Sequence, residues 1–306
     1  MKNMLPLLAI SNVIIDSVKD ENGNIQAPIA GGAGLYAAIA MAHVWPKVAL
    51  LAGVGKDFDK VTNNIADEYN FFRSGCIVRD RYSIQSQLTY YSDGSRTEVP
   101  TYGQKHFSKM QMYPSDIPNK LLPAIGTYIF RDLDCQFWTE ILAIRKKLGL
   151  ILWELDDSVT IPNNLKRISE IAKVVDIVSF NLAEASQLFS TSNPEILVQC
   201  LLDLGAPNII LRMGSKGALI ANQISSFHIH PPLHPVVDVT GGGNSFSAGF
   251  LAGLCQDNSN ILCAARYAAA SAAIAIAHRG PPSRPLPSLF SKLYAASEIE
   301  KSQKQN

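Results

Sequence analysis

Short apolar runs alternate with stretches of helical spacing through most of the 306-residue chain, and this alternation limits the possible folds more than any other feature. We predict buried strands at Leu5–Ile10, Val48–Val54, Thr127–Phe130, Leu148–Trp153, Ile177–Phe180 and Asn208–Leu211. We predict helices at Gly34–His43, Phe137–Lys147, Pro162–Lys173, Ala183–Phe189 and Pro194–Leu204. Strands and helices in alternation predict an α/β protein whose mostly parallel central sheet is covered by helices on both faces.

Two segments, residues 13–30 and 79–103, break this alternation. Polar, aromatic and β-branched residues mix there around the turn sequences Glu21–Asn24 and Ser92–Gly94. We predict that they form a small antiparallel β layer, which projects from the main sheet as a lid and offers a surface for a homodimer. Because the sequence shows no repeat and no linker, we expect residues 1–306 to form a single domain.

Composition argues against several classes of function. The chain has 27 Lys and Arg against 26 Asp and Glu, so no broad basic field attracts nucleic acid or anionic lipid. The apolar run Ala264–Ala277 is interrupted by Arg266 and is shorter than the roughly 20 residues of a membrane span, so we predict a buried helix. The five cysteines are widely spaced without a CxxC pair, which is typical of a reducing compartment. We expect a cytoplasmic protein with no nucleic acid or membrane partner.

The strongest sign of function is a glycine-rich stretch at residues 238–250. Gly241, Gly242 and Gly243 precede Asn244 and an apolar helical pattern. Glycine lets the backbone approach a ligand closely, and the free N–H groups of a first helical turn attract anions, so a phosphate would fit here. The alternative is a turn that only packs a helix against a strand. The Gly-x-Gly-x-x-Gly spacing of a dinucleotide-dependent dehydrogenase is absent after the first strand.

This stretch resembles the signature of the PfkB family of carbohydrate and nucleoside kinases, usually written Asp-Thr-x-Gly-Ala-Gly-Asp. Gly31-Gly32 and the later Gly53–Asp57 resemble the family's N-terminal glycine motifs. Asn181–Glu184 is similar to its Asn-x-x-Glu motif, and residues 211–218 resemble its nucleotide-binding hairpin. The resemblance implies a ribokinase-like three-layer fold with a small β lid. It also implies ATP-dependent phosphorylation of a hydroxyl on a small sugar-like, polyol or nucleoside molecule.

The resemblance assigns roles to individual residues. It implies substrate contacts from Asp16, Gly31, Gly32 and Tyr36. It implies an anion hole at Gly241, Gly242 and Gly243, with Asn244 at the catalytic position. It implies nucleotide contacts from Asn181, Glu184, Arg212, Gly214, Ser215, Gly217 and Thr240. Glu184 would support Mg²⁺ through water, which suits a cation that keeps its hydration shell, and Asp238 would be near a monovalent cation.

Local structure offers an alternative for several of these residues. Asp16, which we expect at the end of the first strand, is also a residue type that begins turns. Gly31-Gly32 could serve only the close packing of a helix start. Asn181 and Glu184 match a helix capping box, and Gly214–Gly217 matches an ordinary turn.

The chain departs from the family pattern at several of the positions compared. Asn244 replaces the aspartate that accepts the proton of the attacking hydroxyl, and a carboxamide can orient a hydroxyl but cannot keep its proton. We therefore expect slow phosphorylation, with a non-catalytic nucleotide-binding or sugar-binding protein as the alternative. Tyr36 replaces a common asparagine, Glu154 a common aspartate and Arg212 a frequent threonine. These changes predict altered contacts to the substrate and to phosphate.

Overall fold

A computed structural model describes residues 4–19, 27–90, 96–257 and 260–301 of the chain. The strands in these ranges are β1 Leu7–Ile10, β2 Ile14–Lys19, β3 Ile29–Gly31, β4 Val48–Gly55, β5 Cys76–Asp80, β6 Ile84–Tyr90, β7 Arg96–Pro100, β8 Gly126–Phe130, β9 Leu150–Glu154, β10 Ile177–Asn181, β11 Asn208–Arg212, β12 Ala218–Asn222, β13 Ser226–Ile229 and β14 Ile299–Lys301. The α-helices there are α1 Ala33–Val44, α2 Phe58–Val61, α3 Ile65–Glu68, α4 Gly103–Lys109, α5 Cys135–Ile144, α6 Leu165–Ala172, α7 Leu182–Phe189, α8 Pro194–Asp203, α9 Gly242–Gln256, α10 Ile261–Ile276 and α11 Pro287–Ala296.

Ten of the strands form one large sheet in the order β14-β13-β12-β11-β10-β9-β8-β1-β4-β5. Neighbouring strands are parallel from β11 through β5. The pairs from β11 to β14 are antiparallel. All six strands predicted from apolar runs belong to this sheet, so the prediction of a mostly parallel α/β architecture is confirmed.

Apolar side chains cover both faces of the large sheet. Side chains of a strand alternate between faces, so Leu7 and Leu8 of β1 enter two different core clusters. Helices α1, α9 and α10 pack on one face, and α5 to α8 supply apolar residues to the other. The predicted buried helix at Ala264–Ala277 corresponds to α10. Among the described helices, none combines the length and apolar character that crossing a membrane requires.

Several predicted boundaries move for identifiable reasons. Strand β9 begins at Leu150, because Gly149 has a positive φ of 63° that a strand cannot continue through. Helix α5 begins earlier than predicted because Asp134 accepts a hydrogen bond from the Phe137 backbone N–H at 3.0 Å, which caps the helix start. Residues 162–164 form a 3₁₀ turn, so the α-helix itself begins at Leu165.

A second sheet has the order β3-β2-β6-β7. The β2/β3 and β6/β7 pairs are antiparallel, but β2 and β6 run parallel, so the prediction of an antiparallel layer is correct for two of the three strand pairs and wrong for β2/β6. The reason is that β2 follows β1 and β6 follows β5. Since β1 and β5 run parallel in the large sheet, β2 and β6 leave that sheet in the same direction. The turns Glu21–Asn24 and Ser92–Gly94 lie outside the described residues, and the role of the second sheet as a lid stays a prediction.

Candidate functional site

A cavity of about 530 Å³ lies between the second sheet and the start of α9. Its lining includes the four predicted substrate residues, Asp16, Gly31, Gly32 and Tyr36. It also includes four residues of the glycine-rich stretch, Asp238, Thr240, Gly241 and Asn244. The fold therefore brings two motifs from opposite ends of the chain to one cavity.

The position of Asp16 differs from the sequence prediction. Strand β1 ends at Ile10, and Asp16 lies within β2 of the second sheet, so the predicted place at the end of the first strand was wrong. The chain crosses directly from one sheet to the other, and this crossing carries the carboxylate over the cavity. A Cβ at Gly31 would lie 3.4 Å from Asp16 Oδ2, which places this glycine in contact with the carboxylate.

Position 32 requires glycine because of its backbone conformation and its close packing. Its φ is 90°, and a Cβ there would lie 2.8 Å from the Ile14 backbone nitrogen and 2.9 Å from the Asn12 carbonyl oxygen. Any side chain would separate α1 from the segment that leads into β2. This close packing matches the structural alternative for Gly31-Gly32, and Gly32 lines the cavity as well.

Tyr36 packs against the turn that precedes α9. Gly241 has a φ of 75°, and a Cβ on it would lie 2.3 Å from carbons of the Tyr36 ring, so only glycine fits there. Burial raises the pKa of the Tyr36 hydroxyl, and the nearby carboxylates of Asp238 and Asp16 raise it further. The phenol is therefore uncharged and can donate a hydrogen bond at neutral pH.

Helix α9 begins at Gly242, and in the part of the chain that the structure describes no side chain caps it. Such a helix start presents backbone N–H groups and the positive end of the helix dipole to an anion. Asn244 lies in the first turn and lines the cavity.

Glu154, at the end of β9, forms a buried cluster with three other residues. Its carboxylate is 1% exposed, and Oε1 lies 2.7 Å from Arg212 Nη2. Its Oε2 accepts a hydrogen bond from the Tyr128 hydroxyl. The amide nitrogen of Asn244 donates to the Tyr128 hydroxyl at 3.1 Å and lies 3.4 Å from Glu154 Oε2. Because the nitrogen of Asn244 faces this cluster, its Oδ1 is the atom left to accept a hydrogen bond from a ligand.

Tyr128 stabilises the charge on Glu154. Burial raises the pKa of the Tyr128 phenol well above its usual value, and the Glu154 carboxylate raises it further. The phenol therefore keeps its proton and donates a hydrogen bond to Glu154. A buried pair such as Glu154 and Arg212 has a desolvation cost, and losing one partner typically destabilises a protein by about 3–5 kcal/mol.

Arg212 connects this cluster to the start of α9. A Cβ on Gly243 would lie 1.9 Å from Arg212 Nη1, so the guanidinium lies directly against Gly243. Arg212 Nη2 is also 3.9 Å from Glu184 Oε2. Its Nε is buried and has no hydrogen-bond partner among the described residues. Arg212 thus places a positive charge beside the helix start that is suited to an anion.

Asn181 and Glu184 form the capping box that the sequence predicts. Asn181 Oδ1 accepts from the Glu184 backbone N–H at 2.8 Å, and Glu184 Oε2 accepts from the Asn181 N–H at 2.7 Å. Burial raises the pKa of Glu184, and Arg212 opposes part of this effect. The pair therefore has a structural role, and it also lies close to the Arg212 guanidinium.

The predicted nucleotide hairpin is the turn between β11 and β12. Gly214 and Gly217 have φ values of 60° and 83°, and Met213 N donates to Gly217 O at 2.7 Å.

Eight predicted site residues do not line the cavity: Asn181, Glu184, Arg212, Gly214, Ser215, Gly217, Gly242 and Gly243. Arg212 joins this second group to the cavity group, since it contacts both Gly243 and the cluster around Glu154.

Sequence reasoning missed some residues of the site. Leu88 and Arg279 line the cavity, and Tyr128 holds Asn244 and Glu154. Tyr128 lies inside an apolar strand pattern, so its buried hydroxyl gave no signal. The resemblance pointed to Glu154, but the contact of Glu154 with Asn244 could not be seen from the sequence.

Comparison with known proteins gives one consistent result. The model for pfkB family carbohydrate kinases matches residues 16–289. A cytidine kinase from Thermococcus kodakarensis is 29% identical over 268 residues, which cover 82% of this chain and 88% of that protein. An aminoimidazole riboside kinase from Salmonella typhimurium is 23% identical over 309 residues, which cover 92% of each chain.

The fold also matches solved structures. The fructokinase of Vibrio cholerae O395, in a fructose, ADP and calcium ion bound form, aligns with a TM-score of 0.74 at 20% identity, covering 95% of this chain and 99% of that one. This likeness confirms the predicted ribokinase-like fold. Since the family model covers most of the sequence, the chain belongs to the pfkB family of carbohydrate kinases.

Proposed function

We propose that the protein uses ATP to phosphorylate a hydroxyl of a small sugar-like, polyol or nucleoside molecule. The observation that carries this proposal is that Asp16 lines the same cavity as Gly241 and Asn244, which flank the first residues of α9. A carboxylate on one wall can accept hydrogen bonds from two neighbouring hydroxyls, and the helix start on the other wall suits a phosphate. Relatives that are cytidine, aminoimidazole riboside and fructose kinases support this substrate class.

The transferred phosphoryl group would lie at the start of α9, beside the Arg212 guanidinium. The acceptor's hydroxyl oxygen forms a bond to the γ-phosphorus while the bond to the bridging oxygen of ADP breaks. Backbone N–H groups at Gly241–Gly243 and the guanidinium would stabilise the charge on the equatorial oxygens. Asn244 Oδ1 would orient the hydroxyl, and its proton would pass to a phosphoryl oxygen or to water, since an amide cannot hold it.

The remaining polar residues would bind the nucleotide and its cations. Mg²⁺ bound to the phosphates would offset their negative charge. Glu184 would hold it through water, because both carboxylate oxygens already accept hydrogen bonds from Asn181 and keep further lone pairs. The turn Gly214–Gly217 and Thr240 would contact the nucleotide. Asp238, whose Oδ1 accepts the Thr240 N–H at 2.9 Å, would be near a monovalent cation.

Asn244 sets the expected rate. A positioned general base typically contributes about 10²–10⁴ to a rate, so we expect slow turnover. The same residue favours a second candidate, a non-catalytic protein that keeps the nucleotide or sugar-like pocket as a sensor or partner subunit.

The second sheet would close over the substrate as a lid, and its edge strands β3 and β7 offer a surface for a second copy.

Two measurements on the purified protein test the proposal. Thermal unfolding is followed with ATP or ADP and Mg²⁺, and with a panel of sugars, polyols and nucleosides, because a ligand of the folded state raises the midpoint. ADP release and the phosphorylated product are then measured for each acceptor. We expect stabilisation by nucleotide and by one acceptor class, with slow product formation. Nucleotide binding without turnover of any acceptor would favour the non-catalytic candidate, and stabilisation by neither ligand would exclude both.

A further inference from the structure

Three side chains that can ligate a metal come together at the edge of the large sheet, outside the lining of the cavity. They are His228 in β13, His230 immediately after it and Glu300 in β14. One ligand atom from each lies within 4.8 Å of the others. The pfkB signature motifs include none of these residues.

The backbone register explains why the three side chains meet. His228 and Glu300 are directly opposite each other in the antiparallel β13/β14 pair. His228 and His230 are two residues apart and therefore share a face of the sheet. Their ring centroids are 4.1 Å apart, and the His230 N–H bonds to the Glu298 carbonyl at 2.9 Å, which extends the pairing. The cluster is thus built on paired backbone.

Hydrogen bonding leaves ligand lone pairs available. His228 Nε2 lies 2.7 Å from the Lys216 carbonyl oxygen, which can only accept, so Nε2 carries the proton and Nδ1 has a free lone pair. Metal-binding histidines characteristically donate their other ring N–H in this way. His230 Nε2 is buried without a hydrogen-bond partner among the described residues, and it lies 3.5 Å from Glu300 Oε2.

We propose that His228, His230 and Glu300 bind one Zn²⁺ ion. Two imidazole nitrogens and one carboxylate oxygen form a typical zinc ligand set, and a water would fill the fourth position. Small side-chain rotations would bring the ligand atoms to the usual metal distances of about 2.0–2.2 Å. Mg²⁺ prefers ligand sets made of oxygen, so this site is chemically distinct from the one proposed at Glu184.

A metal at this position would connect the sheet edge to the turn at Gly214–Gly217. The ion would join β13 to β14, which has only three residues, Ile299–Lys301. It would also fix His228 and thereby the Lys216 carbonyl to which it is bonded. A Cβ on Gly217 would lie 2.0 Å from the Ile229 carbonyl oxygen, so this turn packs tightly on β13. If the proposed nucleotide role of the turn is correct, zinc would stabilise one wall of that site.

Calorimetric titration of the untagged, chelator-treated full chain with Zn²⁺ tests the proposal. We expect one ion per chain, with affinity reduced about tenfold or more in His228→Ala and in His230→Ala. His234→Ala is the matched control, since this histidine is close in sequence and outside the cluster, and it should bind as the wild type does. Mg²⁺ should not compete. Binding that is absent in the wild type, or equal in all three variants, would overturn the site.

A second measurement needs no variant and no enzyme activity. Co²⁺ replaces Zn²⁺ in the wild-type chain, and its visible spectrum reports ligand type and coordination number. We expect the intense bands of a four- or five-coordinate site with nitrogen ligands, saturating at one Co²⁺ per chain and lost on addition of Zn²⁺. The weak bands of six-coordinate hydrated cobalt would contradict the proposal. Because neither measurement involves phosphorylation, failure here is distinguishable from failure of the proposed kinase function.

Discussion

The side-chain amide nitrogen of Asn244 lies 3.4 Å from Oε2 of Glu154, the residue at which β9 ends. That carboxylate is buried, accepts a hydrogen bond from Tyr128 and forms an ion pair with Arg212. If Asn244 occupies the catalytic position that the resemblance implies, an uncharged donor to a neighbouring carboxylate stands where the family pattern has a proton acceptor. The nearby negative charge is the Glu154 carboxylate, and its ion pair with Arg212 neutralises it.

Gly243→Ala tests the role of the helix start. The new methyl group would meet the Arg212 guanidinium, which would have to shift while it keeps its ion pair with Glu154. Alanine also favours a helix over glycine by up to about 1 kcal/mol. We expect the unfolding midpoint without nucleotide to fall slightly, because the strain on the Arg212 ion pair opposes the gain in helix propensity, while the increase produced by ATP and Mg²⁺ becomes smaller. Thermal unfolding with and without nucleotide measures both effects.

Ser245→Ala is the control for this substitution. It raises helix propensity in the same turn, and its hydroxyl has no hydrogen-bond partner in the described part of the chain. It should keep the full nucleotide-dependent increase. If Gly243→Ala also keeps it, the phosphates do not bind at the start of α9.

The strand and helix order could be predicted from sequence because buried parallel strands are nearly continuous apolar runs. The strands β13 and β14 were missed, because they have only four and three residues and mix polar with apolar side chains. The residues around the cavity could be named because their motifs resemble a family pattern. The contact of Asn244 with Glu154 and Tyr128 could not, because it joins a helix to two strands distant in sequence, and local patterns do not specify that packing.

The stability of the fold should depend on pH because of the buried His43 ring. Both its ring nitrogens are buried and have no hydrogen-bond partner among the described residues. Burial lowers the pKa of His43 from 6.5 to about 4, and Arg284 contributes in the same direction. Between these two pKa values the unfolded chain binds a proton at His43 that the folded chain does not. The free energy of unfolding is therefore unaffected by protonation of His43 above pH 6.5, and it decreases by roughly 3 kcal/mol as the pH falls to about 4.

Denaturant unfolding of the wild type and of His43→Leu at several pH values measures this effect. Leucine does not titrate, so the wild type should lose stability relative to the variant between pH 6.5 and pH 4. Above pH 7 the difference in unfolding free energy should be constant. A constant difference across the whole range would show that His43 is free to protonate in the folded protein.

The second sheet should become protected when substrate binds. Asp16 in β2 and Leu88 in β6 line the cavity, so a bound acceptor would bridge this sheet and the start of α9. Hydrogen exchange at saturating acceptor should slow in β2 and β6, while β8 and β9 in the core of the large sheet exchange as before. Equal exchange in both states would mean that the sheet is a fixed wall.

Asn244→Asp tests whether a proton acceptor at this position speeds phosphorylation. The design of the test must allow for the nearby Glu154 carboxylate. In the single variant two carboxylates would lie close together, and their repulsion raises the pKa of the new group, so a larger share of it is already protonated and cannot accept the proton of the hydroxyl. The favourable effect of the α9 dipole, about 0.3–1 kcal/mol, is too small to offset this repulsion near Glu154. The single variant should therefore gain little in rate.

The double variant Asn244→Asp with Glu154→Gln moves the carboxylate to the family position and keeps the total charge of the cluster. The glutamine oxygen can still accept from Arg212, and the new carboxylate at position 244 can accept from the Tyr128 hydroxyl, so both buried donors keep a partner. We expect turnover at saturating ATP to rise about tenfold or more over the wild type, which is the lower part of the usual effect of a general base. Glu154→Gln alone serves as the control and should not exceed the wild-type rate. A single Asn244→Asp variant as fast as the double variant would show that Glu154 does not restrain the new base, and a slower double variant would show that the proton leaves by another route.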